Sequence, residues 1–172
     1  MEAMNTHYYS EVDTEIGRLC IACGARGITV ICTVAARKKE FGDRYAKRFG
    51  VAPEQGQIPE SFRRAVIQAA AGRDYDPVAV DLSGLSAFQL KVLKTLQQVP
   101  RGQVRTYSWL AQRVGRPAAA RAVGNTMARN PIPLLIPCHR IVPASGGVGN
   151  YGLGIPRKRE LLQREGVHLD QL

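Results

Sequence analysis

Apolar positions along the first 83 residues follow two different periods. From Tyr8 to Val34, runs of small and β-branched residues ("RLCIACG", "GITVICTV") read as strands, and Gly24–Gly27 between them reads as a hairpin turn. The period changes over Arg37–Phe49, where Phe41, Tyr45 and Phe49 recur every fourth residue among charges and predict a helix. Gly50–Gln57, with Pro53 and Gly56, reads as a loop. Pro59–Ala71 reads as a second helix, opened by Pro59 and closed by Gly72, and "DPVAVDL" (Asp76–Leu82) as a short strand. Strands followed by helices predict a small α/β domain over residues 1–83.

Ser83-Gly84 breaks the pattern, and residues 84–172 read as a second, mainly helical domain. Ser86 can cap a helix whose Phe88, Val92, Leu93 and Leu96 fall on one side, before Pro100-Arg101-Gly102 ends it. Thr106 caps a helix to Val114. The turn Gly115-Arg116-Pro117 follows, then a helix from about Pro117, with proline in its first turn, to Arg129, stopped by Asn130-Pro131. Two short helices joined by a glycine-containing turn predict a helix-turn-helix. Beyond it lie the apolar run "IPLLIPCHRIVP", a glycine-rich loop "ASGGVGNYGLG", and a last helix over Pro156–Arg164 that turns Leu161 and Leu162 inward and ends in Glu165-Gly166.

Charge separates the halves. Residues 1–84 carry eleven basic and eleven acidic side chains, residues 85–172 thirteen and three, so the second half holds the whole net charge of +10. That asymmetry predicts a polyanion-binding half beside a neutral companion. No apolar run approaches the roughly 20 residues that span a membrane, and Met1–Ser10 lacks a signal-peptide core, so an intracellular protein with no membrane partner is expected. Reduced thiols are then expected at Cys20, Cys23, Cys32 and Cys138. Cys20 and Cys23 have a two-residue zinc spacing, but no second pair follows and they sit in a strand with opposite facing. We read them as small buried thiols and assign no metal.

The second helix of the predicted helix-turn-helix carries Ala118, Ala119, Ala120, Ala122, Val123 and Gly124 around Arg121. Base-reading helices present long polar side chains. Small ones suit close approach to a narrow minor groove with little sequence preference, and leave Arg121 able to enter the base stack. The plainer reading is an alanine-rich core helix with Arg121 in solvent. Pro137-Cys138-His139-Arg140 is the reactive candidate. A free thiol is only ~3% thiolate at neutral pH and needs a neighbouring base. His139 adjoins it, with a water as the bridge, and Glu165 can orient the imidazole, giving a Cys-His-Glu relay. An isolated cysteine is more often a packing residue; the helix-turn-helix immediately before Cys138 favours the reactive reading.

"PCHRI", preceded by "RAVGNTMARNPIPLLI" and followed by "GVGNYGLGIPRKRELLQREG", resembles the O6-alkylguanine-DNA alkyltransferases from about Phe88 to Val167; the first half resembles them loosely, chiefly in "EIGRLCIACGARGI". The resemblance implies a ribonuclease-H-like amino-terminal domain packed on a winged-helix-like carboxy-terminal one. It implies that Cys138 accepts the alkyl group, His139 is the water-mediated base, Glu165 polarises it, and Asn130 is the hinge between recognition helix and cysteine segment. Tyr107 would rotate the target phosphate and contact the extruded guanine, and Arg121 would fill the vacated stack. Thr106, Ala119, Ala120 and Gly124 would lie along the DNA. Met127, Pro133, Tyr151, Gly152 and Leu153 would line the alkyl pocket. The implied partner is double-stranded DNA containing O6-alkylguanine. The implied chemistry is irreversible, one lesion per molecule and without cofactor, in a monomer of the cytoplasm or, in a eukaryote, the nucleus. Leu153 departs from the family, which commonly has glycine there, and should narrow the pocket; Thr106 stands where serine is common, and both cap helices.

Two other classes fit parts of this pattern. A damage sensor or helix-turn-helix regulator would bind without reacting, but sensors of this type replace the cysteine, and the alanine-rich helix does not favour sequence selectivity. A thiol hydrolase would use the same relay but turn over repeatedly.

Overall fold

Three antiparallel strands form from the β-branched stretch: β1 (Tyr8–Thr14), β2 (Gly17–Gly24) and β3 (Gly27–Thr33). The structure, a computed structural model, describes residues 6–172, with residues 38–40 described by their backbone alone. Of the amino-terminal stretch read above for a signal peptide, residues 1–5 lie outside the described residues. A second turn, at Glu15–Ile16, divides β1 from β2 and was not expected; Gly17 takes a positive φ of 106° there. The predicted loop over Gly50–Gln57 also contains a two-residue strand, β4 (Glu54–Gln55), parallel to β1, so the sheet order is β3-β2-β1-β4.

The helix of Phe41, Tyr45 and Phe49 is α1 (Val34–Phe49), capped by the Thr33 hydroxyl; α2 covers Glu60–Ala70. The short strand expected over Asp76–Leu82 is reduced to one bridge, Ile28 with Val80. The reason is competition for its acceptors: Arg48 takes the carbonyls of Asp81 (2.9 Å) and Ser83 (2.8 Å), and Pro77 has no N–H to give. Gly27 is required at this junction, because a Cβ there would lie 2.4 Å from Ala79 O.

In the second half, α3 (Ala87–Leu96) begins at a capping box between Ser86 and Gln89. Strand β5 (Arg105–Thr106) leads into α4 (Tyr107–Arg113), capped by Thr106. The next helix, α5 (Ala120–Ala128), starts three residues later than expected. Pro117 lies in the preceding turn, closed by Ala119 N–H to Arg116 O at 2.9 Å, and the helical ladder starts from Ala119 O. After α5 come a 3-10 turn (Cys138–Arg140), β6 (Ile141–Val142), α6 (Ile155–Arg164) and a 3-10 turn at Leu169–Gln171.

The result is a mixed α/β fold. Its hydrophobic cluster joins Leu19, Ile21 and Ile31 of the sheet to Val66 and Ala70 of α2, Leu93 and Leu96 of α3, Leu110 of α4, Val123 of α5 and Leu161 of α6. Each fully buried aliphatic side chain contributes roughly 1.5–3 kcal/mol. Two backbone links place the site. β5 pairs parallel with β6, which sets the start of α4 beside the Cys138 turn, and Ile31 N–H reaches Pro131 O at 2.8 Å, tying the sheet edge to the segment before the cysteine. No helix among the described residues is long and apolar enough to cross a membrane.

Candidate active site

The segment between α5 and Cys138 has no regular ladder, so a side chain holds it. Asn130 accepts from Ile132 N–H (3.0 Å) and donates Nδ2 to Ile136 O (2.9 Å) and to Cys138 Sγ (3.2 Å). One amide therefore closes the turn from the end of α5 to the cysteine and contacts the sulfur itself. Within this turn Leu134 is the non-glycine residue with positive φ (74°) among those described, a left-handed conformation costing roughly 1–2 kcal/mol, and it is held by burial.

Cys138 is 8% exposed. Burial pushes its thiol up; the Asn130 hydrogen bond and the charge of Lys158 pull the other way without overcoming it. The sulfur therefore rests as a neutral thiol. Its neighbour His139 is buried, with Nε2 2.8 Å from Glu165 Oε1. Arg140 Nε and a terminal nitrogen grip the same carboxylate at 3.0 and 2.8 Å, while its other terminal nitrogen donates to Val99 O at 2.7 Å. Burial opposes the charge of Glu165, but the hydrogen bonds from His139 and Arg140 outweigh it and hold the carboxyl at about 2. A carboxylate cannot donate, so His139 Nε2 carries the hydrogen and Nδ1 the lone pair. That Nδ1 is buried and has no partner among the described residues. Burial lowers the imidazole against the pull of Glu165, leaving a neutral ring with a free basic nitrogen.

The structure also brings Tyr107 and Tyr151 to this site. Burial raises both phenols, and the next influence on each is Cys138. Tyr151 packs edge-on to His139 (ring centroids 6.1 Å apart), and its buried hydroxyl lacks a partner among the described residues. Met127 and Leu153 share the hydrophobic cluster with Cys138; Pro133 is buried and Gly152 exposed. On the neighbouring helices, Thr106 accepts from Trp109 N–H at 3.1 Å, Ala119 and Ala120 are half-buried, and Gly124 faces Tyr107, with 3.8 Å from its Cβ position to the ring. Arg121 is exposed and makes no ion pair or hydrogen bond among the described residues, while the next residue but one, Val123, is buried.

Two residues were missed from the sequence. Arg140 was read only as part of a motif, yet it orients Glu165. Lys158 is fully buried, donating Nζ to Ile141 O (2.6 Å) and Asn150 O (3.2 Å), and burial lowers it to about 8 although Cys138 raises it. The signal for Lys158 was its spacing: three before Leu161 and four before Leu162, it lies on the buried face of α6.

The family described as "6-O-methylguanine DNA methyltransferase, DNA binding domain" matches residues 87–167. A methylated-DNA–protein-cysteine methyltransferase of Mycobacterium leprae is 40% identical over 118 residues, covering 69% of this chain and 71% of that one. One from Methanosarcina acetivorans is 31% identical over 163 residues, covering 92% and 98%. The solved structure of Mycobacterium tuberculosis OGT in complex with DNA superposes with a TM-score of 0.73 at 34% identity, covering 92% of this chain and 93% of that one. With a relative 31% identical over 92% of this chain, the chain belongs to the methylated-DNA–protein-cysteine methyltransferase family.

Proposed function

We propose that the protein repairs DNA by moving an alkyl group from O6-alkylguanine to Cys138, once per molecule. The observation that carries this is the sulfur's placement: it touches Asn130, directly precedes His139 with its free Nδ1 in the chain, and shares a buried cluster with Leu110 of α4 and Val123 of α5. In the reaction the S–C bond forms as the O6–C bond breaks. The thiol proton passes through a water to His139 Nδ1, Glu165 stabilises the imidazolium, and the imidazolium then gives that proton up, by way of water, to the departing guanine, so charge balances. The charge of Lys158 favours negative charge building near the sulfur. Because water does not readily hydrolyse the thioether, the chain is consumed, and no cofactor is required.

On this reading residues 1–83 are a ribonuclease-H-like support and residues 84–172 a winged-helix-like domain whose helix-turn-helix is α4–α5. The small side chains of α5 (Ala119, Ala120, Gly124) and Thr106 approach the minor groove, Arg121 replaces the extruded nucleotide in the stack, and Tyr107 steers its phosphate. Flipping costs a few kcal/mol, less for a damaged base. Met127, Pro133, Tyr151, Gly152 and Leu153 enclose the alkyl group. The chain acts as a monomer, in the cytoplasm or, in a eukaryote, the nucleus.

The test is intact-mass analysis after mixing with a duplex bearing one O6-methylguanine. One methyl is gained per chain, at Cys138, and none in Cys138→Ser. Repeated turnover, or methylation retained in Cys138→Ser, overturns the proposal.

A further inference from the structure

A second pair of thiols lies away from Cys138. Cys20 and Cys32 are direct partners in the β2–β3 register, and each thiol influences the ionisation of the other. They sit on the face that α1 covers, whereas Cys23 packs into the main cluster on the other side. Ile31, beside Cys32, donates its N–H outward to Pro131, so Ile21 and Ile31 are a non-hydrogen-bonded pair and Cys20 and Cys32 a hydrogen-bonded one. Cα atoms of such a pair are about 5.5 Å apart, inside the roughly 4.4–6.8 Å that disulfides span.

The two thiols differ in surroundings. Cys20 is wholly buried and Cys32 partly exposed. Cys32 immediately precedes Thr33, the cap of α1, so its sulfur lies at the positive end of a 16-residue helix with no acid in its first turn. Arg37, one turn into that helix, adds a guanidinium; two of its nitrogens reach Tyr9 (3.3 Å) and Glu11 (3.1 Å), and its buried Nε has no partner among the described residues. The neighbouring Cys20 lowers the Cys32 thiol against the opposing effect of burial, and Arg37 lowers it further, while Cys20 is pushed up.

We propose that Cys20 and Cys32 form a peroxide-reactive dithiol that closes to a reversible intramolecular disulfide. Cys32 is the attacking thiolate: its sulfur bonds to one peroxide oxygen as the O–O bond breaks, giving a sulfenic acid and, with one proton, water. Cys20 then attacks that sulfur, its proton leaves with the hydroxyl as a second water, and the S–S bond forms. The two thiols give up two electrons and two protons, and hydrogen peroxide becomes two waters. Directly opposed Cβ atoms stand about 4.5–5.5 Å apart while a disulfide wants about 3.5–4.5 Å, so closure must draw β2 and β3 together. Such strain makes the bond easy to reduce, which suits a switch rather than a structural staple.

The experiment uses full-length Cys138→Ala, so that Cys138 does not compete. It is treated with hydrogen peroxide, alkylated, and read by intact mass and peptide mapping. A loss of about 2 Da, reversed by dithiothreitol, is expected, with residues 20 and 32 in one linked peptide pair and alkylatable thiols falling from three to one. Cys32→Ser in that background forms no disulfide, and Cys20→Ala leaves a sulfenic acid at Cys32 that a 1,3-dione captures. Differential alkylation of the parent chain gives the same map without any substitution. A link through Cys23, a link between chains, or Cys20 and Cys32 staying fully alkylatable overturns the proposal.

Discussion

Replacing Glu165 with glutamine tests whether the carboxylate acts on the sulfur through His139. The substitution keeps shape and lets an amide oxygen accept from His139 Nε2, but it removes the charge that stabilises an imidazolium when the thiol proton arrives. With Glu165 Oε1 2.8 Å from the imidazole nitrogen, the charge centres lie about 4 Å apart, and at an effective dielectric of about 20 their attraction is about 4 kcal/mol. Allowing about 1 kcal/mol for the hydrogen bond that glutamine retains, about 3 kcal/mol of barrier is added, slowing transfer about a hundredfold. The assay is single-turnover rapid quench with protein in excess over an O6-methylguanine duplex, alongside binding to undamaged DNA. Binding should change less than about twofold, because Glu165 is interior, 6% exposed. With His139 a weaker base once the carboxylate charge is gone, the variant should also steepen towards about tenfold faster transfer per pH unit as bulk hydroxide takes over deprotonation, while the parent stays flatter. A folded variant reacting within about threefold of the parent, with an unchanged pH profile, would refute the relay.

Three further outcomes follow from the same contacts. The Glu165 carboxyl falls from 4.5 in the unfolded chain to about 2 when folded, so its stabilisation is complete above about pH 4.5 and is lost as pH falls towards 2; this amounts to about 3 kcal/mol. Urea midpoints of parent and Glu165→Gln should therefore differ at pH 7 and converge near pH 2, and a constant gap would contradict the ionised carboxylate. Leu153→Gly should widen the pocket, speeding reaction with free O6-benzylguanine at least about tenfold while costing about 2–4 kcal/mol of stability, since Leu153 is 5% exposed within the core; comparable benzylguanine rates would remove its gating role. Arg121→Ala should slow transfer from duplex DNA by about tenfold or more yet leave free O6-benzylguanine unaffected, because the role proposed for Arg121 is to fill the stack alone; equal losses on both substrates would place it in the pocket instead.

What was legible in the sequence was whatever depends on local period and caps. Ser86, Thr106 and the Phe41–Tyr45–Phe49 repeat announced their helices because the cap bond and the helical face are set within one or two turns. At the site, His139 and Glu165, 26 residues apart, were named from residue type and are hydrogen-bonded. The failures were non-local. The Asp76–Leu82 strand lost the Asp81 carbonyl to Arg48, 33 residues away, and β5–β6 pairs residues 36 apart through two-residue strands too short to show a period. Lys158 was hidden for a different reason: basic residues are almost never fully buried, so a lysine between two arginines reads as surface until Ile141 and Asn150 are seen to supply its acceptors.

A neutral resting thiol at first looks wrong for a nucleophile, and burial does hold Cys138 in that state. For a group that can react only once it is the better arrangement. A preformed exposed thiolate would be open to stray electrophiles and oxidants, and each such event would remove a molecule from use. On the proposed mechanism the proton leaves only when an acceptor is in line: His139 Nδ1 is free, Glu165 is bonded to the same ring, and Asn130 contacts the sulfur. Cys32 has the opposite design: partly exposed, at a helix amino terminus, beside a guanidinium and a partner thiol. The two thiols should then separate under limiting hydrogen peroxide in the absence of DNA. Cys32 should be oxidised first and Cys138 should retain its capacity to accept an alkyl group, whereas loss of that capacity before Cys32 reacts would mean that burial does not protect the sulfur.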